Sequence, residues 1–534
     1  MKSPIDPAAL VLLLALALSS TPTPARSALT EAPQARSAVE AGIGHMIPDA
    51  AFTDLSGTPL TLSAVAARQP FTVVAITSPT CPLSRKMAPT LAALEKSWHD
   101  NGVQFLFAGA IASDPPDSLA ALAKEHGFQG PCTVDATQSL LTALQPGTTT
   151  EVLILDRSRT LLYRGAVDDQ YGIGYQKEKP SQNFLADALT QITAGKSPRL
   201  AATTAPGCAL ENPAPAPPPA SPTWHREVSR IVSANCQACH RPGGTGPFAM
   251  MTPEDVGGHA AMIKKVISKG LMPPWFAAPQ TGAHAITWEN DRTLSQADRD
   301  TLTAWLSGDR ALGDPRDAPV PRAWPAEWLI GTPDAVVEIP TPVEIQPTGR
   351  MKYQYREFTT TFPEDRWVTA YEVRPSALEQ VHHVLVFAAG PNGKKVTDGD
   401  DFFAAYVPGS SAVFYPDGYA KKLPAGSRLV FQLHYTPNGT ANVDRTRIGM
   451  RFSTTPPVHE VHVAAAKQHW FSIPPGAPNH EVKGTLPVPF DARILSFMPH
   501  MHMRGKAFRY DLVDAAGNSR ELLNVPAYDF NWQL

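Results

Sequence analysis

The chain has 534 residues, 43% of them hydrophobic and 18% charged, with 46 Lys and Arg set against 49 Asp and Glu. That length calls for several domains, and that much apolar material excludes a wholly disordered chain. A formal charge of −3 without a basic block excludes nucleic-acid binding as the main function. Five cysteines are too few for a disulfide-stapled scaffold, whereas 16 histidines, among them the pairs His382/His383 and His500/His502, suggest metal.

Lys2 and the unbroken apolar run at residues 8–18 read as a secretory signal, with cleavage expected after Ser27. The run is too short to cross a bilayer, which takes ~20 apolar residues. No later stretch approaches that length, so the mature chain is expected to lack a transmembrane segment. It is expected to reach an oxidising compartment, either periplasmic or extracellular. Residues 205–222 are rich in Pro and Ala and predict an extended spacer, and residues 313–325 read the same way. The predicted organisation is a signal peptide at 1–27, bodies at 46–200 and 223–312, a β-sandwich at 345–455 and a partial second sandwich at 456–534.

In the first body, residues 71–77 (FTVVAIT) predict a strand buried on both faces. Pro82 opens a helix reaching Trp98, at a position that a helix tolerates. A strand at 103–108, a helix near 119–123, a hairpin of 152–155 with 161–164 and a helix at 184–192 follow. This α/β order resembles thioredoxin-like proteins and, within them, the bacterial redoxin family. The resemblance implies that Cys81, at a helix N-terminus where the dipole favours thiolate, is a redox thiol. In the motif Cys81-Pro82-Leu83-Ser84, Ser84 replaces the second cysteine of C-x-x-C. Thr150 stands where such domains usually carry a cis-proline facing the thiol, and Val74 where a peroxiredoxin has its proline. Cys132 could resolve Cys81 from a distance. Alternatively the two form a structural disulfide or are inert thiols.

The second body carries Cys236-Gln237-Ala238-Cys239-His240, the C-x-x-C-H pattern of covalent haem attachment. Two thiols one helical turn apart can add to the two haem vinyls, and the adjacent His then ligates the iron. A redox pair or half a zinc site also uses C-x-x-C, but no second cysteine pair follows to complete a zinc site. Val228, Ile231 and Val232 predict a helix leading into the motif. Met272, in Leu271-Met272-Pro273-Pro274-Trp275 after a helix at 260–269, is the expected second axial ligand, with Met250, Met251 and Met262 read as core. Ser295 caps a last helix, with Asp298 in its first turn and Leu306 at its end. The segment resembles a monohaem cytochrome c, implying an all-α domain with haem c.

From Met351 onward, short β-rich runs alternate with Pro, Gly and Asp turns, at 367–373, 384–387, 412–415, 428–433 and 448–453. This pattern predicts an antiparallel, jelly-roll-like sandwich. His500 and His502, two apart, would share one face of a strand. His382 and His383 are adjacent, so both can ligate one metal only at a strand end or bulge. The lone His459, His462, His469 and His480 read as surface residues. A His-His pair, a strand-borne His434 and a His-x-His pair resemble the copper type II, ascorbate-dependent monooxygenases. The resemblance implies that His382, His383 and His434 hold an electron-storing copper, and that His500 and His502 hold the copper where O2 reacts. In that family the reactive copper also takes a methionine well downstream of His-x-His. Here the sequence runs only to Leu534, so the second site and the second sandwich are expected to be incomplete.

Together these parts suggest an exported redox protein of several domains. Haem would relay electrons, from ascorbate or a periplasmic donor, to a copper-dependent monooxygenase that hydroxylates a small-molecule or peptide substrate with O2. One alternative is a non-catalytic electron-transfer or copper-handling haem protein with a thioredoxin-like domain. Another is a thiol-disulfide exchange protein with accessory domains.

Overall fold

The computed structural model describes residues 32–530 except 136, 216–220, 281–285, 287, 326, 391–400 and 469. The expected signal segment and His469 lie outside the described residues. Among the described residues no helix is long and apolar enough to cross a membrane.

In the first body five strands form one sheet, in the spatial order Cys132–Val134, Val103–Gly109, Phe71–Thr77, Val152–Asp156, Leu161–Gly165. Phe71–Thr77 runs parallel to Val103–Gly109 and antiparallel to Val152–Asp156, so it is central and buried on both faces. Helices Pro82–Trp98 and Phe184–Thr193 cover one face, where Met87, Leu91, Leu185 and Leu189 meet Val73, Phe105 and Ile154. Leu62, Val65, Leu140, Leu141 and Leu144 cover the other face. Burying each such side chain is worth about 1.5–3 kcal/mol, so the apolar runs dictate this layering. The hairpin turn closes on Asp156, whose Oδ1 accepts from the N–H groups of Ser158 and Thr160 at 2.9 and 2.8 Å.

Residues 205–213, expected as the start of a free spacer, lie against this body. Leu210 N–H donates to Gly147 O at 3.1 Å, Thr149 N–H to Cys208 O at 3.1 Å and Gln145 Nε2 to Pro213 O at 2.9 Å. Prolines leave such a segment extended, and its remaining backbone groups pair with an exposed loop edge. A composition argument does not register that pairing.

Residues 224–307 contain the helices Ser229–Asn235, Pro253–Gly258, Ala260–Ser268 and Gln296–Ser307 around Trp224, Val232, Ile263, Leu302 and Trp305. Ser295 caps the last helix by accepting from Asp298 N–H at 3.0 Å. The expected all-α cytochrome c-like domain is not evident as such, because these helices are short and, among the described residues, the stretch between Ser268 and Gln296 carries none. Met250 is buried as expected, but Met251 and Met262 are exposed rather than core. Direct contacts join this body to the first. Arg230 Nε donates to Thr160 Oγ1 and its Nη2 to Ser158 O, both at 3.0 Å, and His45 pairs with Asp298 at 2.9 Å.

The β-rich region is a sandwich of antiparallel sheets. One carries Ala335–Glu338, Arg447–Phe452, Arg366–Arg374 and Tyr419–Leu423; the other carries Gln354–Thr359, Arg428–Tyr435, Val381–Ala389 and Phe402–Tyr406. Val337, Val368, Val384, Phe403, Leu429, Phe431, Ile448 and Met450 fill the space between them. Of the partial second sandwich expected at 456–534, the described residues show one hairpin, Phe508–Val513 with Ser519–Val525, while His459–Glu460 joins the first sandwich in parallel beside Tyr419–Leu423. Leu523, Val525 and Tyr528 pack with Phe276, Trp288 and Phe497, and Ala278 N–H donates to Asn524 O at 2.8 Å. Between the sandwich and the hairpin, Trp470, Val488 and Phe490 stay exposed.

Candidate functional site

Three sites bear chemistry. The first is on the sandwich. Val381–Ala389 and Arg428–Tyr435 are paired so that Val381 opposes Tyr435 and His383 opposes His434, with His382 the extra residue of a bulge. A bulge redirects a side chain, and here it brings both adjacent imidazoles to one place. Ligand atoms of His382, His383 and His434 all lie within 4.8 Å of one another. His382 Nδ1 is 3.1 Å from His383 Nδ1, and its Nε2 is 3.1 Å from Phe530 O. His434 Nδ1 is buried without a hydrogen-bond partner. Burial first, then neighbouring histidines, lower the pKa of His383 to about 2 and that of His434 to about 4; His382 is lowered too, chiefly by burial. These rings are therefore neutral at ordinary pH, the state a metal ligand needs.

His500 reaches the same place, its ring 6.0 Å from that of His383 and 5.4 Å from that of His502. The two are not on a strand. Tyr528 sets this segment instead: its hydroxyl accepts from Met501 N–H at 3.1 Å and donates to Met501 O at 2.7 Å. Tyr353, which sequence reasoning does not single out, lies 4.6 Å from the His434 ring. His459, His462 and His480 are exposed, as read from the sequence.

The second site follows the helix Ser229–Asn235. Cys236 caps that helix, and the N–H groups of Cys239 and His240 return to Cys236 O at 3.1 and 2.9 Å. His240 Nδ1 lies 3.0 Å from Phe248 O, an arrangement in which Nδ1 donates and Nε2 stays available. A Cβ on Gly246 would sit 2.7 Å from His240 Nδ1, so only glycine lets the chain pass this close to the ring. Met272 is partly buried in the segment after Ala260–Ser268. The motif faces the sandwich: a Cβ on Gly409 would lie 3.7 Å from Cys239 Sγ, and Arg292 Nη2 donates to Gly409 O at 2.6 Å.

The third site is at the N-terminus of the Pro82–Trp98 helix. Cys81 is only 2% exposed. Thr149 Oγ1 donates to its Sγ at 3.0 Å. Thr150, read as standing at the position of the usual cis-proline, instead bonds Pro206 O through its hydroxyl. Ser84 accepts from Ser78 N–H at 3.2 Å and donates to Thr149 O at 2.5 Å, so it ties the helix start to that loop. Above Cys81 lies Cys208, with the two sulfurs 3.3 Å apart. Burial raises the Cys81 pKa, but bonds from Thr149, Ser84 N–H and Cys208 outweigh it and the net shift is downward. Cys208 moves upward, first through its bond to Cys81 and then through burial. Cys132, expected as a distant partner, sits on the edge strand two strands from Phe71–Thr77, with burial pushing its thiol up to about 12. The second thiol is Cys208, which sequence reasoning leaves inside the spacer.

Residues 43–179 match the Redoxin family, and this part of the chain is a redoxin, thioredoxin-like domain. A hypothetical protein, SMc02350 from Sinorhizobium meliloti 1021, is 23% identical, with a TM-score of 0.30 over 34% of this chain and 99% of that one. A putative protein disulfide isomerase from Bacteroides thetaiotaomicron is 22% identical, with a TM-score of 0.23 over 28% and 87%. Peroxidoxin BcpB from Mycobacterium tuberculosis is 18% identical, with a TM-score of 0.22 over 28% and 93%. No curated protein matches the chain.

Proposed function

We propose that this chain is an exported oxidoreductase in which a redoxin domain and a haem-bearing helical segment serve a copper-dependent monooxygenase. The observation that carries the reading is the buried, unpartnered Nδ1 of His434 beside the paired His382 and His383. A buried polar atom left unpaired costs about 1–3 kcal/mol, and a metal would remove that cost. Three imidazoles suit copper, which binds such donors most tightly among common divalent metals. Copper held by His382, His383 and His434, with a second ion at His500 and His502, would supply one-electron storage and O2 reduction for hydroxylating a C–H bond.

Haem c held by Cys236, Cys239 and His240, with Met272 as the second axial ligand, would supply one-electron transfer. Support comes from the Phe248 carbonyl, which fixes the His240 tautomer, and from Gly246, which leaves room only for the ring. Cys239 abuts the sandwich turn at Gly409, so the helical segment presents its thiol toward the histidine-bearing body. His382 is oriented through Phe530 O, and Tyr528 fixes the backbone between His500 and His502.

The test is O2 uptake with ascorbate by protein loaded with copper and haem, across a panel of small-molecule and peptide substrates. Substrate-dependent uptake, abolished in His434→Ala, supports the reading. Bound copper with no O2 uptake favours the electron-transfer or copper-handling alternative, for which the burial of His383 and His382 is the favouring observation.

A further inference from the structure

The segment at 205–213 closes over the redoxin site and delivers a cysteine to it. Gly207 makes this approach possible. Its φ is +149°, and a Cβ there would lie 3.1 Å from both Thr148 Cβ and Thr149 Oγ1. Cys208 N–H donates to Thr149 Oγ1 at 3.1 Å, that hydroxyl donates to Cys81 Sγ at 3.0 Å, and the two sulfurs are 3.3 Å apart. Thr149, Cys208 and Cys81 thus form a closed ring of contacts. Cys81 is buried at its base and Cys208 is exposed at its mouth.

We propose that Cys81 and Cys208 are a reversible dithiol/disulfide couple that oxidises paired thiols of a peptide or protein, the outside thiol attacking at Cys208. The proposal deepens the redox reading of the redoxin domain and is independent of the copper and haem sites. Ser84 denies the usual partner within the helix turn, and the strap supplies one from the other side.

In the oxidised couple the only sulfur open to solvent is that of Cys208. A substrate thiolate attacks it, forming a mixed disulfide with Cys208, while the Cys81–Cys208 bond breaks and Cys81 leaves as thiolate. Thr149 Oγ1 and the helix N-terminus receive that thiolate, and a better-stabilised thiolate is the better leaving group. The second substrate thiol then attacks the substrate sulfur of the mixed disulfide and releases Cys208 as a thiol. Two substrate thiols become one disulfide and lose two protons, while the couple gains two electrons. Exchange with a second disulfide, such as oxidised glutathione, restores the couple.

The experiment uses the full chain equilibrated in mixtures of reduced and oxidised glutathione, acid-quenched, alkylated and peptide-mapped. The oxidised protein is then offered a reduced peptide containing Cys-x-x-Cys. We expect Cys81 and Cys208 to be lost together as one cross-linked peptide, and one peptide disulfide to form per chain. Cys208→Ser should stop peptide oxidation and leave Cys81, buried beneath the strap, as a free thiol in every mixture, whereas Cys132→Ser should behave as the parent. A Cys81–Cys132 cross-link, or full peptide oxidation by Cys208→Ser, overturns the couple while leaving a redox role for the domain. If neither Cys81 nor Cys208 exchanges in any mixture, both the couple and the redox reading fail.

Discussion

His383 and His434 stand opposite one another on adjacent antiparallel strands, and the bulge at His382 brings a third imidazole nitrogen within 3.1 Å of His383 Nδ1. Strand pairing alone fixes two of the three donors. The extra residue supplies the third, and removing one donor should leave the scaffold intact. His434→Ala is therefore expected to lower copper affinity by at least ~100-fold, beyond the 10–100-fold typical of losing a supporting partner. Isothermal titration with copper, alongside unchanged circular dichroism, checks this.

Tyr528 holds the backbone of Met501 at both its N–H and its carbonyl. Tyr528→Phe removes both bonds, at a cost of about 1–2 kcal/mol locally. His500 and His502 should then lose their placement. Copper titration should show loss of the weaker of two sites while the site at His382, His383 and His434 keeps its affinity.

Gly207→Ala should lift the strap from Cys81. Its positive φ of +149° disfavours a side chain, and a methyl group 3.1 Å from Thr148 Cβ and Thr149 Oγ1 would push those neighbours back. Strain of this kind costs about 1–3 kcal/mol. Alkylation of Cys81 should become faster than in the parent, because Cys81 is then uncovered, while global unfolding by denaturant shifts only slightly.

Lys421 is buried in the sandwich, with Nζ donating to Phe402 O at 2.7 Å and Phe403 O at 3.0 Å. Burial lowers its pKa from 10.5 to about 7. Between those values the unfolded chain binds a proton that the folded chain does not. Stability should therefore rise with pH across that window and gain nothing further from this group above it. In Lys421→Met the rise should vanish, as denaturant unfolding at a series of pH values would show.

Much of this was legible in the residues. Phe71–Thr77 and Pro82–Trp98 are read to the residue, because an unbroken β-branched run and a proline-opened amphipathic stretch each have one stable use. Strand alternation calls for a strand end or a bulge at His382/His383, and the pairing shows the bulge. Cys208 was hidden because a Pro/Ala-rich composition says only that a segment builds no core; it says nothing of docking on an existing one. The signal available was the sequence Pro206-Gly207-Cys208, a turn-permissive glycine beside a lone thiol. Thr150 reads as the position facing the thiol, whereas Thr149 bonds Cys81, because the path of the loop decides which hydroxyl faces the helix. The second sandwich, expected to be incomplete because the sequence runs only to Leu534, holds among the described residues a packed hairpin, while Trp470, at 91% exposure, Val488 and Phe490 stay outside its cluster.

Cys236 and Cys239 should each be needed for covalent haem. The double variant Cys236→Ala/Cys239→Ala should give no haem-dependent peroxidase stain in a denaturing gel. His240→Ala should keep covalent attachment but lose the low-spin absorption spectrum, because the Phe248 carbonyl then orients no ligand.

The most direct test of copper binding is the copper content and copper electron paramagnetic resonance spectrum of the purified full chain, compared with His434→Ala. At least one tightly held copper per chain with nitrogen hyperfine structure, lost in the variant, is the expected result. A parent protein that holds no copper, or a variant that keeps both the copper and its spectrum, would contradict it.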